Sequence, residues 1–509
     1  YGAPVAHGPV LMYVDGEDER TGYAVIGNEG LAEYHHDTQT WIPLLPNTMA
    51  GNNYSTVYKL STGEIVAAGQ SGIARYNGSS WYNIIPGYYI LSGPEDEKLT
   101  GNDQIIDSPS FLADTLYYRG KQSWNMVELP QGDLLVGFKG NPPPGSGILR
   151  LNLEDQLWYD TYDTTDSVLD GLANSGYITI RHLALDEAGN VWIANPYSEL
   201  RQNVIAVYTS EGDWVHFSIR DSQNRLNYLP TEITFDSEGR VWIGSELNGD
   251  WGSAGGITVL HYGISLSDKL YDEWTSIDLD TDLSTTIWSL VFDQNDILWV
   301  LSADGVMGYT VLENLTLVPY TQFGPFLGDT PFSEGSKIRV DAQNNKWITS
   351  PQRGVWVLLD NTTFWPNVEG FNSENSPLLS DEVLDIFLDN EEGVAYLATS
   401  KGISALKIPY KTDSGEYEEL RVFPSPFHIP AEKPLVIDGL RQGSSVKIFT
   451  ATGRLVRELT IQSGDVEGYQ ATWDGKNAQG QWVGSGVYVA VGYLESGQTG
   501  TGKVAVIRQ

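Results

Sequence analysis

The sequence predicts an all-β protein: a β-propeller of seven to eight blades, held in one ring or split between two, followed by a small C-terminal antiparallel β-sandwich. Three observations carry this expectation. A hairpin motif returns roughly every 50 residues, short runs alternate apolar and polar residues with no sustained 3.6-residue periodicity, and the composition changes near residue 420.

The motif reads apolar, any, apolar, Asp, a few polar residues with Gly or Asn, apolar, Trp, apolar, small. Clear copies are LDEAGNVWIA (185–194), FDSEGRVWIG (235–244), VFDQNDILWVL (291–301), VDAQNNKWIT (340–349) and LDNEEGVAYLA (388–398). Their aspartates, Asp186, Asp236, Asp293, Asp341 and Asp389, are 50, 57, 48 and 48 residues apart. Weaker copies are KLSTGEIVAAG (59–69), ELPQGDLLVG (128–137) and a stretch around Asp15 (13–27), making about eight. Asp accepts hydrogen bonds from amides two or three residues ahead, and Gly or Asn supplies the positive φ of the turn, so the chemistry fixes hairpin register. The Trp is expected to pack between blades with its indole N–H on a carbonyl. A Gly then opens a further alternating run that ends at an aromatic, as in GIARYNGSSW (72–81) and GVWVLLDNTTFW (354–365). Blades stacked around an axis leave few exposed strand edges.

Charge and composition narrow the function. The 30 basic and 66 acidic residues give −36, which repels nucleic acid, and the chain has no cysteine, so thiolate catalysis, disulfides and Cys-based zinc sites are excluded. No apolar run is long enough to span a bilayer, so no transmembrane segment is expected. The chain opens at Tyr1 without a Met or a signal-like stretch, so a leader or a longer segment is expected to have been removed.

Three regions are expected: a propeller over 1–409, a polar linker over 410–420 and a sandwich over 421–509. The last region holds 9 Lys or Arg and 7 Asp or Glu, a net of +2, leaving 21 minus 59, or −38, for residues 1–420. Its short alternating runs and its turns at TATGR and DGKNAQGQ suggest about seven antiparallel strands. The final run, with Lys503 and Arg508, reads as an edge strand available for pairing with a partner.

The blade pattern resembles the two-component regulator propeller repeats of Bacteroidetes sensors and surface proteins. The tail resembles C-terminal sorting domains of the type IX secretion system at three ordered motifs. VFPSPF (422–427), with Pro424 and Pro426, is similar to their Tyr-Pro-Asn-Pro opening, with Ser425 in place of Asn. VKIFTATGRLVREL (446–459), with Gly453, is similar to the middle motif. WDGKNAQGQWVGSGVYV (473–489), with Trp473, Asp474, Gly475, Gly486 and Tyr488, followed by KVAVIR (503–508), is similar to the closing segment. A regulator-type propeller joined directly to such a tail resembles the PorZ family. That resemblance implies a non-enzymatic accessory component at the outer membrane and cell surface. Its implied partners are attachment-complex proteins including the sortase, an outer-membrane shuttle, and anionic lipopolysaccharide presented for cargo anchoring.

No catalytic constellation is legible. The seven histidines, His7, His35, His36, His182, His216, His261 and His428, lack metal-ligand spacing, and neither a nucleophile elbow nor a phosphate loop stands out. No metal or cofactor is expected. Asp278, Asp280 and Asp282 alternate like the start of a calcium loop, but Leu283 and Ser289 stand where that loop needs Gly and Glu, which favours a solvated acidic turn. Two candidate binding groups remain. Trp251, among glycines in LNGDWGSAGG (247–256), offers a ring for stacking on sugar, against the alternative of a packed loop aromatic. Arg441, Lys447, Arg454 and Arg457 offer phosphate-binding cations, against the alternative of ordinary solubilising charge. The competing functional class is an exported cargo whose propeller is a glycan-binding adhesin or a polysaccharide-active enzyme and whose tail is only an address.

Overall fold

Seven of the eight motif hairpins become the two innermost strands of seven blades around one axis. The structure is a computed structural model. It describes residues 12–14, 21–26, 30–35, 40–44, 51–69, 72–84, 87–90, 115–118, 123–140, 147–152, 157–165, 167–277, 285–320, 325–412, 415, 417, 419–431 and 433–508. The blades begin at Thr56, Ser123, His182, Pro230, Ile287, Lys337 and Val383. Blades 1 to 6 are four-stranded antiparallel meanders, and blade 7 has three strands. Inner strands neighbour one another in sequence order, and the last, Val383–Asp389, returns against the first, Thr56–Lys59. Thr56 Oγ1 and Val57 N donate to Asp385 Oδ2 at 2.6 and 3.2 Å across that junction, and Lys59 reaches Asp389 at 2.5 Å. The ring therefore closes within 56–407. The turn of the eighth copy, residues 15–20, lies outside the described residues. Its flanking strands, Met12–Val14 and Thr21–Ile26, start a separate four-stranded sheet that ends at Thr40–Leu44.

The motif works more tightly than the sequence reading expected. Asp186 Oδ1 accepts from Ala188 N and Asn190 N at 3.0 and 2.8 Å, fixing the turn. Its Oδ2 accepts the indole N–H of Trp192 at 2.9 Å, so the indole finds this carboxylate and not a carbonyl. The same bond joins Trp242 to Asp236, Trp299 to Asp293 and Trp347 to Asp341 at 2.7, 2.9 and 2.9 Å. All four tryptophans are fully buried and pack toward the next blade, as Trp192 does against Ile233 and Phe235. Each hides about 200 Å² of ring, worth roughly 5 kcal/mol before conformational entropy is subtracted. The Gly opening the third strand is needed where the chain turns tightly: Gly354 has φ +87°, and a Cβ there would overlap the Phe371 carbonyl.

The C-terminal region is a sandwich of two sheets with four and five strands, nine where about seven were expected. It is not purely antiparallel: Phe427–Ile429 pairs in parallel with the final strand, Thr499–Arg508, matching Phe427 with Val506 and Ile429 with Arg508. The closing run is thus no open edge at its end. Prolines explain the exchange. Pro424, Pro426 and Pro430 donate no backbone hydrogen bond, which confines the short segment between them to the sheet margin and leaves the long strand inside. The 410–420 stretch, expected as a polar linker, is packed at both ends. Tyr410 is buried with the core of blade 7 and Leu420 with the core of the sandwich.

Candidate functional site

One residue from each blade forms a polar layer around the axis. Thr56, Asn125, His182, Glu232, Ser289, Lys337 and Asp385 pair with Ala68, Gly137, Ala194, Gly244, Leu301, Thr349 and Ala398 on the second strands. Each stands four positions before the motif Asp or its equivalent, so the layer is a structural repeat. Five of the seven, with Arg339 two residues beyond Lys337, line an axial cavity of about 380 Å³.

The charges in this layer neutralise one another. Glu232 is buried and meets Arg339 Nη1 at 2.7 Å, Lys337 Nζ at 3.4 Å and His182 Nε2 at 3.4 Å. Burial opposes its ionisation, but Arg339 and Lys337 prevail and hold its pKa down to about 2. Burial pushes the His182 pKa down to about 3, with Lys337 and Arg339 adding to the effect, so the ring is neutral. Its Nδ1 accepts from Ile233 N at 3.1 Å, which leaves the proton on Nε2, facing Glu232. Asp385 is shifted upward by burial. Two acids against two bases, with a neutral imidazole between them, make a cohesive plug.

One mouth of the axis carries a second cluster. The chain enters each inner strand and leaves each second strand at this end, and Arg181, just before the inner strand of blade 3, donates its N–H to Ala194 O at 2.9 Å. Its side chain is 6% exposed, with Nε and Nη2 bonded to Glu334 Oε1 at 3.2 and 2.9 Å. Nη1 forms an ion pair with Glu246 Oε2 at 2.7 Å. Lys139 approaches Glu334 at 3.8 Å. Tyr197, half-buried at φ 63°, feels the charges of Arg181, Glu246 and Glu334, and its ring meets Trp251 edge-on at 4.9 Å.

The structure places Trp251 half-buried in a 3-10 turn of blade 4, Gly249–Trp251, with its ring against Tyr197 from the neighbouring blade 3. Arg181 and its glutamates were missed by sequence reasoning. Their signal was present but faint: a charge directly before an inner strand, and another at the end of a second strand. Asp278, Asp280 and Asp282, with His7 and His36, lie outside the described residues.

The four tail cations are not gathered into one patch. Arg457 lies between Asp465 and Asp474 at 3.3 and 3.0 Å, and Lys447 faces Glu458 at 3.6 Å and the Tyr493 ring at 4.5 Å. Lys447 pairs across the strands with Glu458, and Arg457 with Ile448, so alternation points the two cations to opposite faces. Arg441 bonds Gln498, and Arg454 is exposed in the turn containing Gly453. Several of the motif residues have packing roles. Trp473 packs at a tilt against Phe427 and Tyr488 in the core and donates to Lys476 O at 2.8 Å. Tyr488 OH reaches Gly484 O at 2.9 Å, and Gly475 has φ +82°. Gly486 opens the strand Gly486–Tyr493, and Lys503 and Arg508 are exposed on the final strand.

With this geometry established, comparison with solved structures is informative. PorZ of Porphyromonas gingivalis, described as an essential bacterial surface component of its type IX secretion system, superposes with a TM-score of 0.66 at 21% identity, over 96% of this chain and 64% of PorZ. The fold is PorZ-like. This chain spans less than two thirds of PorZ's length, about 64% of it. The extracellular domain of the one-component system BT4673 of B. thetaiotaomicron matches 98% of the chain and 69% of its own at 14% identity and TM-score 0.44. Virginiamycin B lyase of Staphylococcus aureus matches 70% of the chain and 95% of its own at 14% identity and TM-score 0.42. No family model and no curated protein matches the chain. Among the described residues, no helix is long and apolar enough to cross a membrane.

Proposed function

We propose that this protein is a non-enzymatic surface component of a type IX secretion system that works with the sortase-bearing attachment complex and an outer-membrane shuttle. The PorZ-like fold supports this reading, and one observation carries it against the exported-cargo alternative: the sandwich is built into the propeller. Tyr469 N donates to Pro409 O at 2.7 Å, Tyr410 OH bonds Glu467 at 2.8 Å, and Lys407 faces Asp438 at 3.8 Å. Gln442 also reaches Gln343, in a motif turn of blade 6, at 2.8 Å. At the seam Gly468 has φ +52° and packs so closely on Pro409 that a Cβ would overlap its carbonyl. Ile408, Tyr410 and Lys411 are buried there. The joint is anchored by burial at both ends, at Ile408–Lys411 and at Leu420, with Thr412, Gly415 and Glu419 exposed between them.

Anionic lipopolysaccharide is the proposed ligand in this reading. A chain at −36 repels it, so contact goes through the sandwich at +2, where Arg454 is exposed, and weakens as salt rises. Deleting the gene in its host tests the proposal: cargo should accumulate unanchored and unprocessed, and full-length protein should restore anchoring. Normal anchoring in the deletion strain would overturn it.

A further inference from the structure

We propose that the axial cavity of the propeller binds a small organic acid, its carboxylate held in a fork by the Arg339 guanidinium and its hydrocarbon body lying against the Tyr58 and Phe387 rings. The inference is independent of the secretion reading. It starts from the shape of the cavity, whose volume of about 380 Å³ lies at the lower end of the range for small-ligand pockets. The polar layer closes one end: Thr56, His182, Glu232 and Asp385 line the cavity and are buried. Two residues further along the inner strands, Tyr58, Thr234, Val291, Arg339 and Phe387 also line it and are only half-buried. Exposure thus rises toward the motif turns, and the cavity opens at that end, opposite the Arg181 mouth. The seven inner hairpin turns around this opening all lie within the described residues.

Arg339 is the one cation lining the cavity among the described residues, and only one of its three nitrogens is engaged. Nη1 donates to Glu232 Oε1 at 2.7 Å and Ile338 O at 2.8 Å, and approaches Ser289 Oγ at 3.4 Å. Nε and Nη2 make no hydrogen bond with the described residues, and the side chain is 24% exposed, so that edge of the guanidinium faces open space. Two parallel N–H groups on a fixed plane match the two oxygens of a carboxylate. Burial shifts Asp385 toward its neutral form, and with Asp385 neutral the bases Arg339 and Lys337 outnumber Glu232 by one in the layer, leaving a place for a single negative charge. A second negative charge would have no partner. The walls suit a hydrocarbon: the Tyr58 and Phe387 rings meet edge-on at 5.2 Å across the junction of blades 1 and 7, and Val291, Val340 and Leu388 add apolar surface. Apolar surface around a few fixed polar groups is the general composition of a small-ligand site.

The test titrates the full-length chain with butyrate, hexanoate, benzoate and phenylacetate by calorimetry and ligand-observed NMR, with the matching amides and inorganic phosphate as controls. At least one acid should bind saturably, and its amide and phosphate should each bind at least tenfold more weakly. Arg339→Lys keeps the charge facing Glu232 but removes the fork, and Thr234→Phe fills the cavity from blade 4; each should weaken the acid at least tenfold. Thr234 is half-buried and makes no side-chain ion pair, so its variant keeps the test decisive if Arg339→Lys lowers the melting temperature. Absence of saturable binding by every acid up to about 10 mM, equal binding of an acid and its amide, or binding untouched by Thr234→Phe would overturn the proposal. None of these outcomes bears on cargo anchoring in the deletion strain.

Discussion

The propeller and the sandwich use the same residue pair, Trp and Asp, in opposite ways. In the ring, Asp sits six positions before Trp, closes a tight turn and takes the indole proton, as Asp341 does for Trp347 at 2.9 Å. In the sandwich the two are adjacent: Trp473 gives its indole proton to the Lys476 carbonyl, and Asp474 turns to Arg457 at 3.0 Å. The ring repeats one small latch through blades 3 to 6 and distributes its cohesion. The sandwich concentrates cohesion in one aromatic cluster, Phe427, Trp473 and Tyr488. Four of the seven blades carry the latch; a repeated unit tolerates divergence, and blades 1, 2 and 7 show it with Val66, Leu135 and Tyr396 at the Trp position.

The largest expected effect comes from removing a latch ring. Trp347→Ala should destabilise the propeller by about 3–5 kcal/mol, the range for a large aromatic removed from a packed core. Hydrogen exchange should rise in blades 6 and 7 and leave the sandwich strands protected. Equal loosening of both regions would erase the distinction.

A smaller substitution compares the two carboxylates directly. Asp341→Ala leaves two turn amides and a buried indole N–H without their acceptor, at about 1–3 kcal/mol. Asp474→Ala removes a part-exposed ion pair, at about 0–1 kcal/mol. Denaturant midpoints that rank the pair in the other order would contradict the assigned roles.

The mildest perturbation is acid. His182 is held from 6.5 down to about 3, so its contribution is present above pH 6.5 and is lost as pH falls toward 3. Glu232, held from 4.5 down to about 2, loses its contribution over the lower window. Asp385, shifted upward by burial, works in the opposite sense and softens the decline. The propeller's melting temperature should fall between pH 7 and pH 4, and His182→Gln should flatten the upper part of that slope. A melting temperature unchanged across this range would remove the axial layer from the account.

Legibility in the sequence followed repetition. The blades could be read because Asp, turn and Trp recur at nearly fixed spacing, and the polar layer could have been read from the same register, four positions before each Asp. His182 was instead taken only as one of seven unclustered histidines. Arg181, Glu246 and Glu334 gave little warning because they come from three different blades and meet only when the ring closes. The edge-strand expectation failed at Arg508 for a related reason: Phe427–Ile429, some 80 residues upstream, covers residues 506–508, and alternation within a strand says nothing of a distant partner.

The central claim is that propeller and sandwich form one working unit, and the intact mass of the protein recovered from the cell surface tests it most directly. The account predicts a single chain in which peptides from 421–508 remain joined to the propeller. Recovery of a propeller ending between residues 410 and 422 would contradict it, making the sandwich a removable label and the protein a cargo.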